Sequence, residues 1–174
     1  VKGEDLWGNP SDQCTETFFL KSTIKINNLP ESITLNKGDF TYTIKNLFLS
    51  ISGDFYVRFY DSAGALRFET NPARAENTPN FKYYWADLHG QSEETIGTGS
   101  AEQYFRFARD YAFIDAVGHQ GNDFQMSNEF WSKLDTLCEK FDVDNEFVAI
   151  PGYEWSGNTS LGGDRNVFFP TIGR

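Results

Sequence analysis

Imidazole, carboxylate and amide side chains follow several apolar runs of this sequence, at the point where each run ends. His89 closes the run at residues 83–88, and His119 closes the run at residues 113–118. These are the two histidines of the chain. A lone histidine after a strand is commonly a structural residue, whereas two at equivalent places favour a shared metal site. Nitrogen and oxygen ligands of these kinds bind zinc, manganese or iron.

Strand ends of a parallel α/β barrel deliver their side chains to one rim, so residues far apart in sequence meet there. A metal held at such a rim lowers the pKa of a bound water toward ~7, which suits hydrolysis. The polar residues at the ends of the successive apolar runs are His89, Gln91, His119, Gln120, Asp123, Glu154, Asp164 and Arg165.

The elements that must position these residues follow residue 80, where strand and helix patterns alternate. Strands are predicted at residues 83–88, 113–118, 147–151 and 166–169. One helix is predicted to begin at Ser100, with Gln103 in the capping-box position, and a second at Ser127 or Asn128. This alternation predicts parallel strands joined by helical crossovers.

Residues 1–80 carry strand signals and no helical periodicity. Candidate strands at residues 17–26, 41–51, 54–60 and 65–69 are separated by Gly, Pro and Asn, a pattern typical of a small antiparallel sandwich. No catalytic constellation is present there, so a structural or accessory binding role is expected. Residues 71–80 contain two prolines and three asparagines and are interpreted as a linker. The predicted domains are therefore residues 1–80 and 81–174.

Composition restricts the function classes. A chain of 174 residues can bury a sizeable core in one large or two small domains. Its net charge of -10 argues against nonspecific nucleic-acid binding. The second half holds 15 acidic and 7 basic residues. No run approaches the ~18–20 apolar residues of a membrane span. Two widely spaced cysteines decide nothing about disulfides, and the compartment stays open.

Four stretches of the second half follow one another in a recognisable order: residues 87–91 (Asp-Leu-His-Gly-Gln), 118–124 (Gly-His-Gln-Gly-Asn-Asp-Phe), 151–158 (Pro-Gly-Tyr-Glu-Trp-Ser-Gly-Asn) and 162–167 (Gly-Gly-Asp-Arg-Asn-Val). Together they resemble motifs of the polymerase and histidinol phosphatase (PHP) superfamily. The chain is similar in particular to a related bacterial family known as domain of unknown function 3604. The resemblance covers residues 81–170 closely and the first half loosely.

The resemblance implies a distorted (β/α)7 barrel that binds up to three metals and hydrolyses phosphate esters. His89 matches the first histidine of the Asp-x-His-x-His motif, and Gln91 stands where the second would be. His119 and Gln120 fall where many members have Asp-His. Glu154 matches the carboxylate that commonly bridges metals.

The remaining roles complete this hypothesis. Asp164 lies in the region of a later metal ligand, and Asp123 is an alternative that would complete the set. Arg165 would neutralise the substrate phosphate. Asp87, Gln91 and Gln120 would support the ligands by hydrogen bonds.

The chain supplies about four of the roughly seven strands that such a barrel needs. We therefore expect the rest of the barrel to come from the same longer chain or from another subunit, because an open strand edge invites association. The leading hypothesis is a metal-dependent phosphoesterase acting on a small-molecule phosphate ester, without nucleic-acid or membrane-spanning roles. The alternative, motivated by Gln91 and Gln120, is a catalytically degenerate binding or scaffold protein.

Overall fold

The structure of the chain, a computed structural model, describes residues 1–157 and 162–173. It divides into two compact units, Val1–Lys82 and Tyr83–Arg174. Each unit is built around its own cluster of buried apolar side chains.

The first unit is made of short antiparallel strands. A four-stranded sheet has the order β3-β1-β6-β7, and two separate pairs join β2 to β4 and β5 to β8. The strands are β1 (Glu16–Ser22), β2 (Ile26–Asn27), β3 (Ser32–Leu35), β4 (Phe48–Leu49), β5 (Gly53–Phe55), β6 (Val57–Tyr60), β7 (Leu66–Glu69) and β8 (Ala73–Ala75).

One face of the four-stranded sheet forms the core of this unit. Alternation along the strands brings Leu20 opposite Phe59 and places Ile33 on the neighbouring strand. All three are at most 8% exposed. Phe68 stacks on Phe59 with ring centroids 4.4 Å apart. Since the other face stays in solvent, polar residues such as Lys21 and Arg58 alternate with the core residues.

The β-rich character expected of the first half is confirmed, but two boundaries differ. Residues 42–47 form no strand, because Asn46 takes a left-handed backbone conformation (φ 59°) that interrupts the extended run. β8 lies inside the expected linker. It pairs there with β5 along the backbone, and the exposed Arg74 guanidinium adds two hydrogen bonds to the Asp54 carboxylate of β5 at 2.7 and 3.0 Å.

The second unit alternates strands and helices as expected. Strands β11, β10 and β9 form a parallel sheet in that order, and β12 pairs with β13. The elements are β9 (Ala86–Gly90), α1 (Ala101–Arg106), a π-helical turn (Phe107–Ala112), β10 (Ala116–His119), a 3-10 turn (Asp123–Gln125), α2 (Asn128–Phe141), β11 (Val148–Ile150), β12 (Gly152–Trp155) and β13 (Arg165–Phe168).

Both predicted helix starts are confirmed. Ser100 caps α1 in a reciprocal capping box with Gln103, and the Ser127 hydroxyl accepts the backbone N–H of Phe130 at 3.1 Å. The buried stripe of α2, including Leu134, packs with Phe105 of α1 and the sheet. No helix of the described residues is long and apolar enough to cross a membrane.

The strand predicted at residues 166–169 exists as β13, but its predicted parallel direction is wrong. β13 runs antiparallel to β12, because the nine positions of sequence between the two strands are fewer than the dozen or so residues that a parallel crossover requires. The described residues close no barrel, and the fold is a β-rich mixture of small sheets with two α-helices.

Gly90 controls how closely α1 approaches the end of β9. A methyl group added at Gly90 would overlap the Tyr104 ring. We expect Gly90→Ala to lower the free energy of unfolding by about 1–3 kcal/mol through overpacking. The same substitution should cost clearly less in a Tyr104→Leu background. Chemical denaturation of the four members of this mutant cycle measures the coupling, and strictly additive effects would contradict the contact.

Candidate functional site

His89 and Glu154 meet at one end of the parallel sheet. His89 lies near the end of β9 and Glu154 lies in β12, and His89 Nε2 is 3.7 Å from Glu154 Oε1. The Glu154 residue is 9% exposed, whereas the His89 side chain is 55% exposed. The pair is therefore held by the interior on the carboxylate side and open to solvent on the imidazole side.

Asn166 fixes the orientation and tautomer of His89. The Asn166 amide donates from Nδ2 to the Leu88 carbonyl at 3.1 Å, which turns its Oδ1 toward His89 Nδ1 at 2.9 Å. An amide oxygen can only accept, so Nδ1 carries the hydrogen. In the neutral ring, the lone pair is then on Nε2, the atom that faces Glu154.

Amide groups occupy the second oxygen of the Glu154 carboxylate. Asn122 Nδ2 donates to Oε2 at 2.7 Å, and Gln91 Nε2 donates to the same atom at 3.2 Å. The backbone N–H of Glu154 is bonded to the Gly121 carbonyl at 2.9 Å. The Asn122 and Gln91 amides are neutral donors, so they satisfy this oxygen of a nearly buried carboxylate without cancelling its charge.

The Gln91 and Asn122 amides are held by hydrogen bonds to hydroxyl groups and to each other. Thr95 donates to Gln91 Oε1 at 3.0 Å, and Gln91 donates to Asn122 Oδ1 at 3.2 Å. Asn122 also donates to the Ser156 hydroxyl at 3.0 Å. The network joins the segment after β9, the segment after β10 and β12, so it fixes the carboxylate against three parts of the unit.

His119, the second predicted ligand, is placed as a buried structural residue. It is 0% exposed. Its Nδ1 accepts the Gly121 backbone N–H at 3.2 Å, and its Nε2 lies 2.8 Å from the Ser92 hydroxyl. Burial lowers the pKa of His119 to about 4, partly opposed by the charge of Glu94. Because both ring nitrogens are bonded internally, neither is available to a metal in this arrangement.

Gln120 is also fully buried. Its Nε2 donates to the carbonyl groups of His119 at 3.0 Å and Val167 at 3.4 Å, while its Oε1 has no hydrogen-bond partner among the described residues. The side chain thus links β10 to β13 beneath the site.

The remaining predicted residues make no described side-chain contact with the His89 ring or the Glu154 carboxylate. Asp87 bonds to the backbone of His89, whose N–H it accepts at 3.2 Å. Asp123 accepts the backbone N–H groups of Phe124 and Ser156. Arg165 donates to the Gly162 carbonyl at 2.9 Å, and Asp164 is exposed.

Gln91, one of the residues that position the pair, is among the supports expected from the sequence, whereas Asn122 and Asn166 are not. Asn122 lies within the stretch at residues 118–124, where the expected site residues are only His119, Gln120 and Asp123. Asn166 was assigned only to a strand. One feature of the sequence could have pointed to Asn122 and Asn166. Both are amides close to a strand end, where buried carboxylates and imidazoles need hydrogen-bond partners.

The distance between the two atoms of the pair would allow both to bind one divalent cation. Ligand atoms bound to one zinc at about 2.0–2.2 Å stand no more than about 4.4 Å apart, and the observed separation is 3.7 Å. The described residues contain no group of three His, Cys, Asp or Glu side chains that could hold a metal. A complete site therefore needs ligands beyond this pair.

Protonation of His119 should destabilise the second unit. The pKa of His119 in the folded chain, about 4, lies below the ordinary 6.5. Its contribution to the free energy of unfolding is therefore complete above pH 6.5 and is lost as the pH falls toward 4. The expected loss is roughly 3 kcal/mol in the free energy of unfolding. Denaturant unfolding across this range should show a weaker decline for His119→Gln, while His89→Gln retains it. Equal declines in wild type and His119→Gln would refute this assignment.

Comparison with known proteins finds a distant relative. The chain is 23% identical over 173 residues to an uncharacterised protein of Chlamydia pneumoniae, and the match covers 96% of this chain and 27% of that protein. The chain therefore spans about a quarter of the length of this curated relative. No protein-family model matches the chain, and no solved structure matches it.

Proposed function

We propose that the second unit contributes to a metal-dependent hydrolase, a phosphoesterase of the PHP type, with His89 and Glu154 as protein ligands. The resemblance of residues 81–170 to PHP motifs supports the reaction class. The metal would be zinc, manganese or iron, since these accept one imidazole and one carboxylate together.

One observation carries the proposal: His89 Nε2 and Glu154 Oε1 face each other 3.7 Å apart. His89 Nδ1 donates its hydrogen bond to Asn166 Oδ1, so Nε2 is the ring atom left to share a cation or a proton with Glu154. With neither between them, the two atoms repel. Histidine ligands characteristically donate their other N–H to a carbonyl or carboxylate oxygen, as His89 does to Asn166.

The residues around the pair have separable tasks. Asn166 holds the tautomer of His89, while Gln91 and Asn122 hold the Glu154 carboxylate and leave Oε1 facing the imidazole. A divalent metal bound there would polarise a phosphate ester and lower the pKa of a coordinated water. Without it, the negative Glu154 would repel a phosphate group.

The proposal extends to a longer polypeptide. The relative from Chlamydia pneumoniae is far longer than this chain. Further ligands and the rest of a barrel would come from such additional chain or from another subunit. Arg165, bonded to its own turn at Gly162, would meet the phosphate only after exchanging that contact.

Removing either ligand should weaken metal binding. We expect His89→Ala and Glu154→Gln each to lower the affinity of the chain for Mn²⁺ or Zn²⁺ by about tenfold or more, in line with losses seen when metal-site groups are removed. Isothermal titration calorimetry measures this. Glu139→Gln, which neutralises an exposed carboxylate on α2, is the matched control and should bind as wild type does.

Hydrolysis is tested with the same variants. A phosphate monoester assay with added Mn²⁺ should show metal-dependent turnover that His89→Ala and Glu154→Gln abolish. Metal binding that is unchanged in both variants would overturn the proposal.

A second candidate is a binding or scaffold protein that has lost catalysis. The observation that favours it is the amide network: Gln91 and Asn122 already saturate Glu154 Oε2, and an amide stands where the resemblance expects histidine. This candidate predicts no metal-dependent turnover from the wild-type chain, with folding and thermal stability that do not respond to added Mn²⁺.

A further inference from the structure

A pocket of about 340 Å³ lies beside the N-terminus of α2. Its volume is in the range of small-molecule sites. Aromatic rings form one part of its lining and short polar side chains form another. The lining residues are Asp123, Met126, Ser127, Asn128, Trp131, Tyr153 and Phe169.

Three half-buried rings make the apolar wall. Tyr153 and Phe169 stack with centroids 6.2 Å apart and an angle of 30°. The Trp131 ring stands nearly perpendicular to both, at 78° to Tyr153 and 79° to Phe169. The rings support one another, so the aromatic wall is preorganised rather than made of loose side chains.

The polar part offers both acceptors and donors. Asp123 uses Oδ1 to accept two backbone N–H groups, from Phe124 at 2.8 Å and Ser156 at 3.3 Å. These bonds orient the carboxylate. Asn128 contributes an exposed amide in the first turn of α2, where backbone N–H groups lack intrahelical partners.

The aromatic wall, the Asp123 carboxylate and the donors at the start of α2 together restrict the chemistry of a ligand. A phosphate is disfavoured because Asp123 is negative and none of the described residues that line the pocket is Lys, Arg or His. A simple organic cation would use Asp123 and the rings but not the donors at the start of α2, whose partial positive charge opposes it. A ring with an apolar face and several hydroxyl groups uses all three features.

The pocket is distinct from the His89–Glu154 pair. Neighbouring residues of a strand point to opposite sides, so Tyr153 faces the pocket while Glu154 faces Asn122. The 121–123 segment and β12 carry both places, but no residue of the metal pair lines the pocket. We infer that this pocket binds a pyranose ring, which stacks on the aromatic wall and donates a hydroxyl hydrogen bond to Asp123.

Amide NMR spectra of the labelled chain test this, with methyl glucopyranoside, methyl galactopyranoside and methyl mannopyranoside as probes. At least one should cause saturable shifts at the pocket residues, including the Trp131 indole signal. Cyclohexanol, a ring of the same size with one hydroxyl, should bind at least tenfold more weakly.

Two variants separate binding from folding. Asp123→Asn keeps the shape of the side chain and should weaken pyranoside binding about tenfold, as expected for a hydrogen bond to a charged acceptor. Trp131→Phe keeps an aromatic face and should reduce the affinity less than Trp131→Leu does. Glu139→Gln should bind as wild type does, and unchanged signals from core residues of the second unit away from the pocket, such as Phe105 and Val117, report that this unit remains folded.

Three results would overturn the inference. They are the absence of saturable shifts with every pyranoside, equal affinity for cyclohexanol, and a preference for tetramethylammonium that Asp123→Asn abolishes. The last would make the pocket a cation site. None of these measurements involves a metal or hydrolysis, so failure here is separate from failure of the proposed hydrolase.

Discussion

The hydrogen bond from Asn122 to Glu154 Oε2, at 2.7 Å, is the contact on which the second unit's site depends. It is reinforced by a parallel bridge between the same two residues. Glu154 is 9% exposed, and leaving so buried a carboxylate without donors would cost several kcal/mol. The bond therefore serves two purposes: it allows the carboxylate to be buried, and it fixes the segment after β10 against β12.

The site achieves this with neutral groups. Lysine or arginine beside Glu154 would satisfy the carboxylate equally well but would cancel its charge, whereas Gln91 and Asn122 leave the charge in place. Ion pairing is used elsewhere: Lys133 of α2 lies 2.6 Å from Glu94. Burial alone would raise the pKa of Glu94, but the Lys133 contact and further hydrogen bonds lower it to about 2. Glu94 also accepts the Ala101 N–H at the start of α1. The contrast separates a carboxylate used for stability from one left available for chemistry.

Local signals made part of this structure predictable. Ser100 and Ser127 start the helices because their side chains accept first-turn N–H groups, a rule that acts within a few residues. The approach of His89 to Glu154 agrees with the strand-end argument, because His89 lies near the end of β9 and Glu154 comes after the end of β11, a strand of the same parallel sheet. The role of His119 could not be predicted, because the same strand-end position serves a ligand or a buried structural ring. Only its contacts with Ser92 and Gly121 distinguish the two. The direction of β13 depended on connection length, which outweighed the repeated pattern of strands and helices.

The two histidines have different surroundings, and this difference allows His89 to be modified selectively by a chemical reagent. His119 is enclosed, with both nitrogens engaged, while the side chain of His89 is about half exposed. An acylating reagent that attacks neutral imidazole therefore has a single accessible target among the histidines of this chain. A label introduced in this way would sit beside Glu154 without mutagenesis. Its rate of attachment would report directly whether the His89 lone pair is free or occupied.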